Sequence, residues 1–182
     1  MAELRARLRQ ATAPLHEQVD AAFSSFGLDH PDGYCRFLRA HSRVLSATEI
    51  ALEKAGMEKW LDDWPARVRR HALLDDLAEL NCPPPTPLQV PGLNDIGSCW
   101  GAAYVLEGSR LGGRGLARQV RKSDPAAPVR YLEHGEVSRL WPTFLVHLEQ
   151  HAPGFPWERI LAGAQATFGL FTSAALLEQA CP

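Results

Sequence analysis

Glycine recurs along residues 93–122 in a way that restricts what this part of the chain can fold into. If the segment is a single helix at 100° per residue, five glycines fall within about 60° of one face. They are Gly97, Gly101, Gly108, Gly112 and Gly115. Each glycine costs a helix about 1 kcal/mol relative to alanine, so close packing must offset a face built this way. The spacing therefore predicts a helix whose bare backbone faces either a closely crossing helix or a flat ligand.

Apolar residues recur at intervals of three and four along nearly the whole chain, and alternating β-branched runs are absent. This pattern predicts an all-α fold. A chain of 182 residues, 46% of them hydrophobic, suffices for one well-cored domain, so we expect a single domain over 1–182. The proline-rich stretch 82–91 is expected to be a stiff surface connection. Helices are predicted at about Ala2–Phe23, Pro31–Lys54, Pro65–Leu80, Leu93–Lys122, Arg130–His134, Leu140–His151 and Pro156–Gln179.

Charge and cysteine content narrow the class of protein. The net charge is −2, from 19 basic and 21 acidic residues, which argues against binding to nucleic acid or to an anionic membrane. By inspection of the sequence, no stretch approaches 18 apolar residues and the N-terminus lacks an apolar signal segment, so we expect a cytoplasmic protein. The cysteines show neither a CxxC pair nor zinc-ligand spacing. Free thiols are therefore predicted at Cys35, Cys82, Cys99 and Cys181.

Two motifs resemble those of biliverdin-forming heme oxygenases, particularly the bacterial branch. The sequence YVLEGSRLGG at 104–113 is similar to the distal helix of that family, and LRQATAPLHEQVD at 8–20 is similar to its proximal helix. A weaker likeness is the Trp141-Pro-Thr-Phe144 sequence at the start of a late helix. The resemblance implies a heme-oxygenase-like helical bundle in which heme is sandwiched between a proximal N-terminal helix and a glycine-rich distal helix.

On the proximal helix, the resemblance implies that His16 binds the heme iron and that Arg9 binds a propionate. On a straight helix Arg9 lies about 20° from His16 and about 10 Å away along the axis, although Pro14 intervenes. Phe23 lies on the same face as an aromatic heme contact. Asp20 is a candidate acceptor for the second ring N–H of His16, a role that a backbone carbonyl or water would serve equally.

On the distal helix, the resemblance implies that Gly108 and Gly112 act in catalysis by letting the backbone approach O2. Tyr104 and Gly113, within the same motif, are expected to contact heme. Many animal members of the family carry an aspartate where this chain has Ser109. That difference leaves open which group organises water above the heme, with Glu107, Arg110 or a carbonyl as substitutes.

The other histidines are weaker candidates for an iron ligand. Seven histidines occur in the chain, and a neutral imidazole of any of them could in principle bind iron. His41 and His147 lie within predicted helices, where core or boundary positions are expected, and His41 is the next candidate after His16. Solvent-facing positions beside turns or in a basic run are expected for His30, His71, His134 and His151.

The resemblance implies an enzyme that opens heme to biliverdin, carbon monoxide and ferrous iron with O2 and external electrons. No strand-to-helix glycine motif for flavin or nicotinamide is present, so a ferredoxin or flavin reductase would supply the electrons. Basic patches near 5–9, 67–70 and 110–122 are either solvated helix faces or sites for an acidic partner or heme propionates. The resemblance implies one of two uses: bacterial relatives often supply biliverdin to a phytochrome or release iron for growth.

Three alternatives remain at the level of sequence. One is a heme carrier or sensor that keeps the pocket without turnover, and another is a plain helical interaction module. The third is a thiamin-degrading type of enzyme on the same scaffold, which would need Cys99 or Cys35 as a nucleophile beside a carboxylate. Ferritin-like di-iron chemistry is disfavoured because no Glu-x-x-His pair occurs in the chain.

Overall fold

The structure, a computed structural model, describes residues 3–180. Within that range the chain is helical with no strand, which confirms the all-α prediction. Three short 3₁₀ turns lie at Met57–Lys59, Ser109–Gly112 and Ala152–Gly154. The α-helices are α1 (Glu3–Ser24), α2 (Pro31–Lys54), α3 (Trp64–Arg67), α4 (Arg70–Glu79), α5 (Ile96–Gly108), α6 (Gly113–Ser123), α7 (Val137–His151) and α8 (Trp157–Ala180).

Helix α8 lies at the centre of the bundle and packs against α5, α2 and α1. Its crossing with α5 is a contact of backbone on backbone. A Cβ atom added to Gly101 would lie 1.9 Å from the carbonyl oxygen of Ile160, and one added to Gly163 would lie 1.9 Å from that of Ser98. Only glycine fits at these two positions, so the crossing fixes α5 in place against the core.

By length and composition alone, α8 is long and apolar enough to cross a membrane. The expectation that no apolar stretch approaches such a length is therefore wrong for this helix. In the fold α8 packs against three neighbours, and the core helix of a soluble protein has the same composition.

Helix α1 continues through Pro14, which does not end it. The carboxylate of Glu149 accepts hydrogen bonds from the backbone N–H groups of Leu4 (3.3 Å) and Arg5 (2.8 Å), two donors that a first helical turn leaves free. The buried residues of α1 end at Thr12, and the side chains beyond it are exposed or only partly buried. The second half of this helix therefore presents a face that the rest of the chain does not cover. Ala2, in the predicted helix, lies outside the described residues.

Three predicted helices differ in the structure. The segment 93–122 is divided into α5, a 3₁₀ turn and α6, and Asp95 starts α5 by accepting a hydrogen bond from the Ser98 N–H (3.0 Å). The predicted helix 65–80 is interrupted at 68–69, because the Glu49 carboxylate accepts the Arg69 N–H (2.8 Å) and begins a new helix there. The predicted helix at 130–134 is a series of turns.

Two of the cysteines predicted to be free are joined. Cys35 of α2 and Cys82 form a disulfide with their Cα atoms 6.1 Å apart. They are separated by 47 residues, so local spacing could not reveal the pair. Cys99 is a free, buried thiol, and Cys181 lies outside the described residues.

The disulfide attaches the proline-rich stretch to α2, and main-chain hydrogen bonds continue the attachment. The Leu88 N–H donates to the Arg43 carbonyl (2.8 Å), and the Arg43 side chain donates to the Thr86 carbonyl (3.0 Å). Arg43 is itself held by the buried carboxylate of Glu178 in α8 (2.6 Å). The stretch has no regular secondary structure, as predicted, and the arginine satisfies one of its carbonyl groups.

Candidate functional site

The uncovered half of α1 and the glycine-rich segment 108–115 are linked by a continuous row of contacts. The ring of Phe23 lies 4.6 Å from that of His41, which lies 5.5 Å from Tyr131. Tyr131 in turn lies under the Arg69 guanidinium at 5.2 Å, and Arg69 donates a hydrogen bond to Ser109 (2.8 Å). This row runs through the core from α1 to 108–115, and we infer that the space between these two segments is the candidate cleft.

His16 lies on α1 with 62% of its side chain exposed. Its Nδ1 is 3.0 Å from a carboxylate oxygen of Asp20, and its ring lies 6.1 Å from that of Phe168 in α8. A carboxylate at Nδ1 favours the tautomer with hydrogen on that nitrogen and leaves a lone pair on Nε2. The geometry is that of a metal-ligating histidine with its second nitrogen oriented by an acceptor.

Two aromatic side chains and two cations lie where α1 approaches α5 and α7. Burial raises the pKa of Tyr104, and the nearby charges of Arg5 and Arg9 partly oppose that shift. The Tyr104 ring lies 6.0 Å from Trp141, and the Arg5 guanidinium lies 6.0 Å above the same tryptophan. Arg9 is exposed and forms no ion pair within residues 3–180, so its charge is available to an acidic group in the cleft.

The five glycines of the predicted stripe divide into two sets by their surroundings and do not lie on one helix, so the prediction of a single stripe is wrong. A Cβ on Gly101 would collide with the Ile160 carbonyl of α8, and one on Gly97 would lie 3.1 Å from the Arg159 Cβ atom of the same helix. A closely crossing helix therefore accounts for these two glycines. A Cβ on Gly112 or Gly115 would meet no atom within 4 Å, and one on Gly108 would touch only Trp141 at 3.9 Å. Gly108 is the last residue of α5, Gly112 ends the 3₁₀ turn that follows it, and Gly115 lies beyond that turn, which changes the rotation per residue. The open set forms a wall of bare backbone.

Gly113, which the motif places beside the ligand, is buried against the turn at 130–134. A Cβ at this position would lie 2.1 Å from the carbonyl oxygen of Leu132. Its close contact is therefore with the chain itself, and it positions the start of α6.

The Ser109 hydroxyl forms two hydrogen bonds within the fold. It donates to the Leu106 carbonyl (2.7 Å) and accepts from Arg69 Nη2 (2.8 Å), which also donates to that carbonyl (2.7 Å). Arg69 is buried, and its Nε atom has no hydrogen-bond partner in the described part of the chain. A buried donor of this kind normally requires a partner such as water.

Three arginines of the predicted basic patches are buried: Arg67, Arg69 and Arg110. Both interpretations considered for them, a solvated face and a docking site, are therefore wrong at these positions. Arginine is mostly exposed, so burial is not expected from residue type. The local signal was the carboxylate four residues before Arg67 (Asp63) and three residues before Arg110 (Glu107). Other arginines in those patches, including Arg114 and Arg118, are exposed as expected.

His41 lies among the aromatic side chains of the row that links α1 to 108–115. Its Nδ1 donates to the Phe37 carbonyl (2.9 Å), and its ring lies 4.2 Å from Phe37 and 5.5 Å from Phe171. Burial, with a smaller contribution from the charge of Arg69, lowers the pKa of His41 to about 4. It is therefore neutral near pH 7 with a lone pair on Nε2.

A cysteine nucleophile finds no support in this geometry. Burial raises the pKa of the Cys99 thiol to about 11, and the nearby Asp95 carboxylate acts in the same direction. A thiol of that pKa is protonated and unreactive near pH 7. Cys35, the other candidate, is in the disulfide.

The side chains along the candidate cleft have the chemistry that a flat ring with a metal and acidic substituents would need. His16 offers a lone pair for the metal, Arg9 a cation for a carboxylate, and Phe23 an aromatic surface. The open glycine wall lets a planar group lie against the backbone without a side chain between them. An iron porphyrin has these chemical features.

Comparison with known proteins agrees with this interpretation. No family model matches the sequence. Over 144 residues the chain is 35% identical to a protein named heme oxygenase from Xanthomonas campestris pv. campestris (strain 8004), a match that covers 77% of this chain and 87% of that protein. The fold is similar to that of the NO- and CO-bound heme oxygenase from Neisseria meningitidis, with a TM-score of 0.83, 22% identity and coverage of 96% of this chain and 91% of that one.

Proposed function

The chain belongs to the heme oxygenase family, and on that premise we propose that it cleaves heme to biliverdin, carbon monoxide and ferrous iron. The single observation that carries the proposal is His16, an exposed imidazole of α1 whose Nδ1 lies 3.0 Å from the Asp20 carboxylate. Heme is the substrate and brings the iron that activates O2, and external electrons complete the reaction.

The proximal residues bind and orient the substrate. His16 Nε2 binds the iron, and Asp20 keeps the imidazole in the tautomer and rotation that this requires. Arg9 pairs with a propionate, which selects one of the ways in which the ring can enter the cleft. Phe23 covers part of one ring face and keeps water away from it.

The distal residues determine the space above the ring. Gly108 and Gly112 place backbone where a side chain would otherwise block O2, and neither supplies an acid or a base. The Arg69 guanidinium, with its unpartnered Nε, is suited to hold a water molecule at the end of the row that contains Ser109. Such a water would deliver protons in place of the aspartate that many animal members of the family carry at the Ser109 position.

The basic surface of α6 supports an acidic electron donor. Arg114, Arg118 and Lys122 recur every four residues along α6, so they lie on one face, and each is exposed. We place the docking site of a ferredoxin or flavin reductase on this surface, because its charge complements an acidic protein and it begins beside the open glycine wall.

The test is a titration of hemin followed by reduction under air. We expect a 1:1 complex with a sharp Soret band, and ascorbate should convert it to a species with the broad red absorption of biliverdin. His16→Ala should lose the coordinated spectrum and the conversion, whereas His71→Ala, a change at an exposed histidine of α4, should retain both. A wild-type Soret band and conversion rate in His16→Ala would contradict the assignment and make His41 the ligand to test.

The propionate contact has its own matched pair of variants. Because Arg9 is exposed, we expect Arg9→Ala to weaken hemin binding by about tenfold, the lower end of the range for a charge-assisted pair. Arg118→Ala removes an equally exposed arginine from α6 and should leave the affinity unchanged. Equal affinities for the two variants would mean that Arg9 is only a surface charge.

A further inference from the structure

Glu107, the residue before the first distal glycine, is a buried carboxylate that two arginines share. It accepts a hydrogen bond from Arg67 Nη1 at 2.6 Å and one from Arg110 Nε at 2.9 Å. All three residues are almost inaccessible to solvent. A second carboxylate, Asp63, binds Arg67 at 2.6 and 2.9 Å, so each of the two arginines has a carboxylate partner.

The cluster connects the end of α5 to three other parts of the fold. Arg67 belongs to α3 and donates to the Leu140 carbonyl and to Thr143, both of α7 (2.9 Å each). Arg110 belongs to the 3₁₀ turn, and it donates to the Arg67 carbonyl and, at 3.4 Å, to that of His134. Glu107 is the group through which the turn and α3 are held at the same point.

Polar side chains attach the 3₁₀ turn to the core. Of its four residues only Arg110 is buried, and Leu111, its apolar residue, is 54% exposed. The Ser109 hydroxyl accepts a hydrogen bond from the buried Arg69, and Gly112 has no side chain. The Glu107 cluster and this one hydrogen bond, rather than apolar burial, therefore position the turn.

We propose that Glu107 is a positioning residue that sets the height of the glycine wall above the bound heme. The effect of Glu107 on heme rests on the proposed function, because the position of the glycine wall affects the reaction only if heme lies against that wall. Glu107 touches neither substrate nor O2 and acts through Arg110. Loss of its charge leaves the buried guanidinium group of Arg110 without a carboxylate partner, so the turn no longer has a single position.

Glu178 provides a matched control on the other side of the core. It is also buried, and it also binds two arginines, Arg39 at 2.8 Å and Arg43 at 2.6 Å. It belongs to α8, and its arginines hold the proline-rich stretch, which takes no part in the cleft. Glu178→Gln therefore removes the same charge from the same kind of cluster without touching the glycine wall.

The first measurement uses the protein without heme, so that it does not depend on the proposed function. In Glu107→Gln, amide hydrogen exchange in 108–113 should become at least about tenfold faster than in the wild-type protein, because the turn opens locally. In Glu178→Gln, exchange in 108–113 should stay at the wild-type rate. If both variants or neither accelerate exchange there, Glu107 has no particular control over the turn and the proposal fails.

The second measurement examines the ferrous carbon monoxide complex by infrared spectroscopy. Glu107→Gln should show a second C–O stretching band and a mixture of biliverdin isomers, while Glu178→Gln should show the single wild-type band. An unchanged band in Glu107→Gln, or the same change in both variants, overturns the proposal. If Glu107→Gln does not fold, Arg110→Lys replaces it in both measurements. Failure of the wild-type protein to bind heme would refute the proposed function while leaving the exchange result to decide the role of Glu107.

Discussion

Replacement of Gly112 by leucine tests whether this glycine is needed for packing within the fold or for space beside the ligand. A Cβ at Gly112 meets no atom within 4 Å, so the folded chain accommodates the new side chain without collision. Removal of a glycine from a helical conformation is worth up to about 1 kcal/mol. For a chain of this size we therefore expect Tm to stay the same or to rise by up to about 4 °C. Function should change in the opposite direction, because the leucine occupies the space reserved for heme and O2.

The expected loss of hemin affinity in Gly112→Leu is at least about tenfold, equivalent to about 1.4 kcal/mol. Gly154→Leu is the matched control. Gly154 also ends a 3₁₀ turn, and a Cβ there also meets no atom within 4 Å, but it lies between α7 and α8. Its replacement should leave hemin binding unchanged and alter Tm equally little.

The assay is a hemin titration followed at the Soret band, with a thermal melt of the same samples by circular dichroism. A Gly112→Leu protein that binds hemin and forms biliverdin at the wild-type rate would refute the reasoning. That result would mean that the open glycines face solvent and not the substrate.

Two further predictions concern the core and His41. Gly163→Ala should destabilise the protein by about 1–3 kcal/mol in urea unfolding, because the new Cβ would lie 1.9 Å from the Ser98 carbonyl oxygen. Gly169→Ala, in the same helix, places its Cβ in open space and should be neutral or slightly stabilising. His41 has a folded-state pKa of about 4, so the unfolded chain takes up its proton at higher pH; its contribution to stability is full above about pH 6.5 and falls by up to about 3 kcal/mol as the pH drops to 4. His41→Gln should lack this loss of stability. If the unfolding free energies of the wild-type protein and His41→Gln change with pH in parallel, His41 is not the group responsible.

Helix α2 shows what local sequence can predict. Its bounds, Pro31–Lys54, are the predicted ones, because Pro31 suits a first turn and Gly56 follows the end. Gly56 has φ +82°, a conformation that favours glycine just after a helix. Signals of this kind lie within a few residues of the boundary they specify, so no knowledge of the rest of the fold is needed.

The predicted helix boundaries were wrong where the residue that determines them is distant in sequence. The break before α4 depends on Glu49, which is 20 residues from the Arg69 N–H that it accepts. The interruption of the glycine-rich helix coincides with the burial of Arg110, which bonds to the Arg67 carbonyl 43 positions away. A helical wheel treats each segment alone, so it assigned all the glycines to one face.

The candidate site divides in the same way. The pairing of His16 with Asp20 is a local relation across one helical turn, and the two side chains lie within 3.0 Å as the spacing suggested. The roles of His16, Arg9 and the distal glycines toward heme stay predictions. The Arg69 contacts with Ser109 and Tyr131 bring together three segments of the chain, and only the fold could reveal them.

Backbone contact between α5 and α8 restricts how the cleft can open. Carbonyl oxygens meet α-carbons at Gly101 and Gly163, so neither helix can slide or rotate without collision. α1 is attached by side-chain hydrogen bonds near both ends: Glu149 accepts from its first turn, and Gln179 of α8 donates to the Ala22 carbonyl (2.6 Å). Such bonds can exchange with water, whereas a backbone collision cannot be relieved in that way. Of the two walls of the cleft, α5 is therefore the rigid one, and α1 is the one whose attachment can exchange.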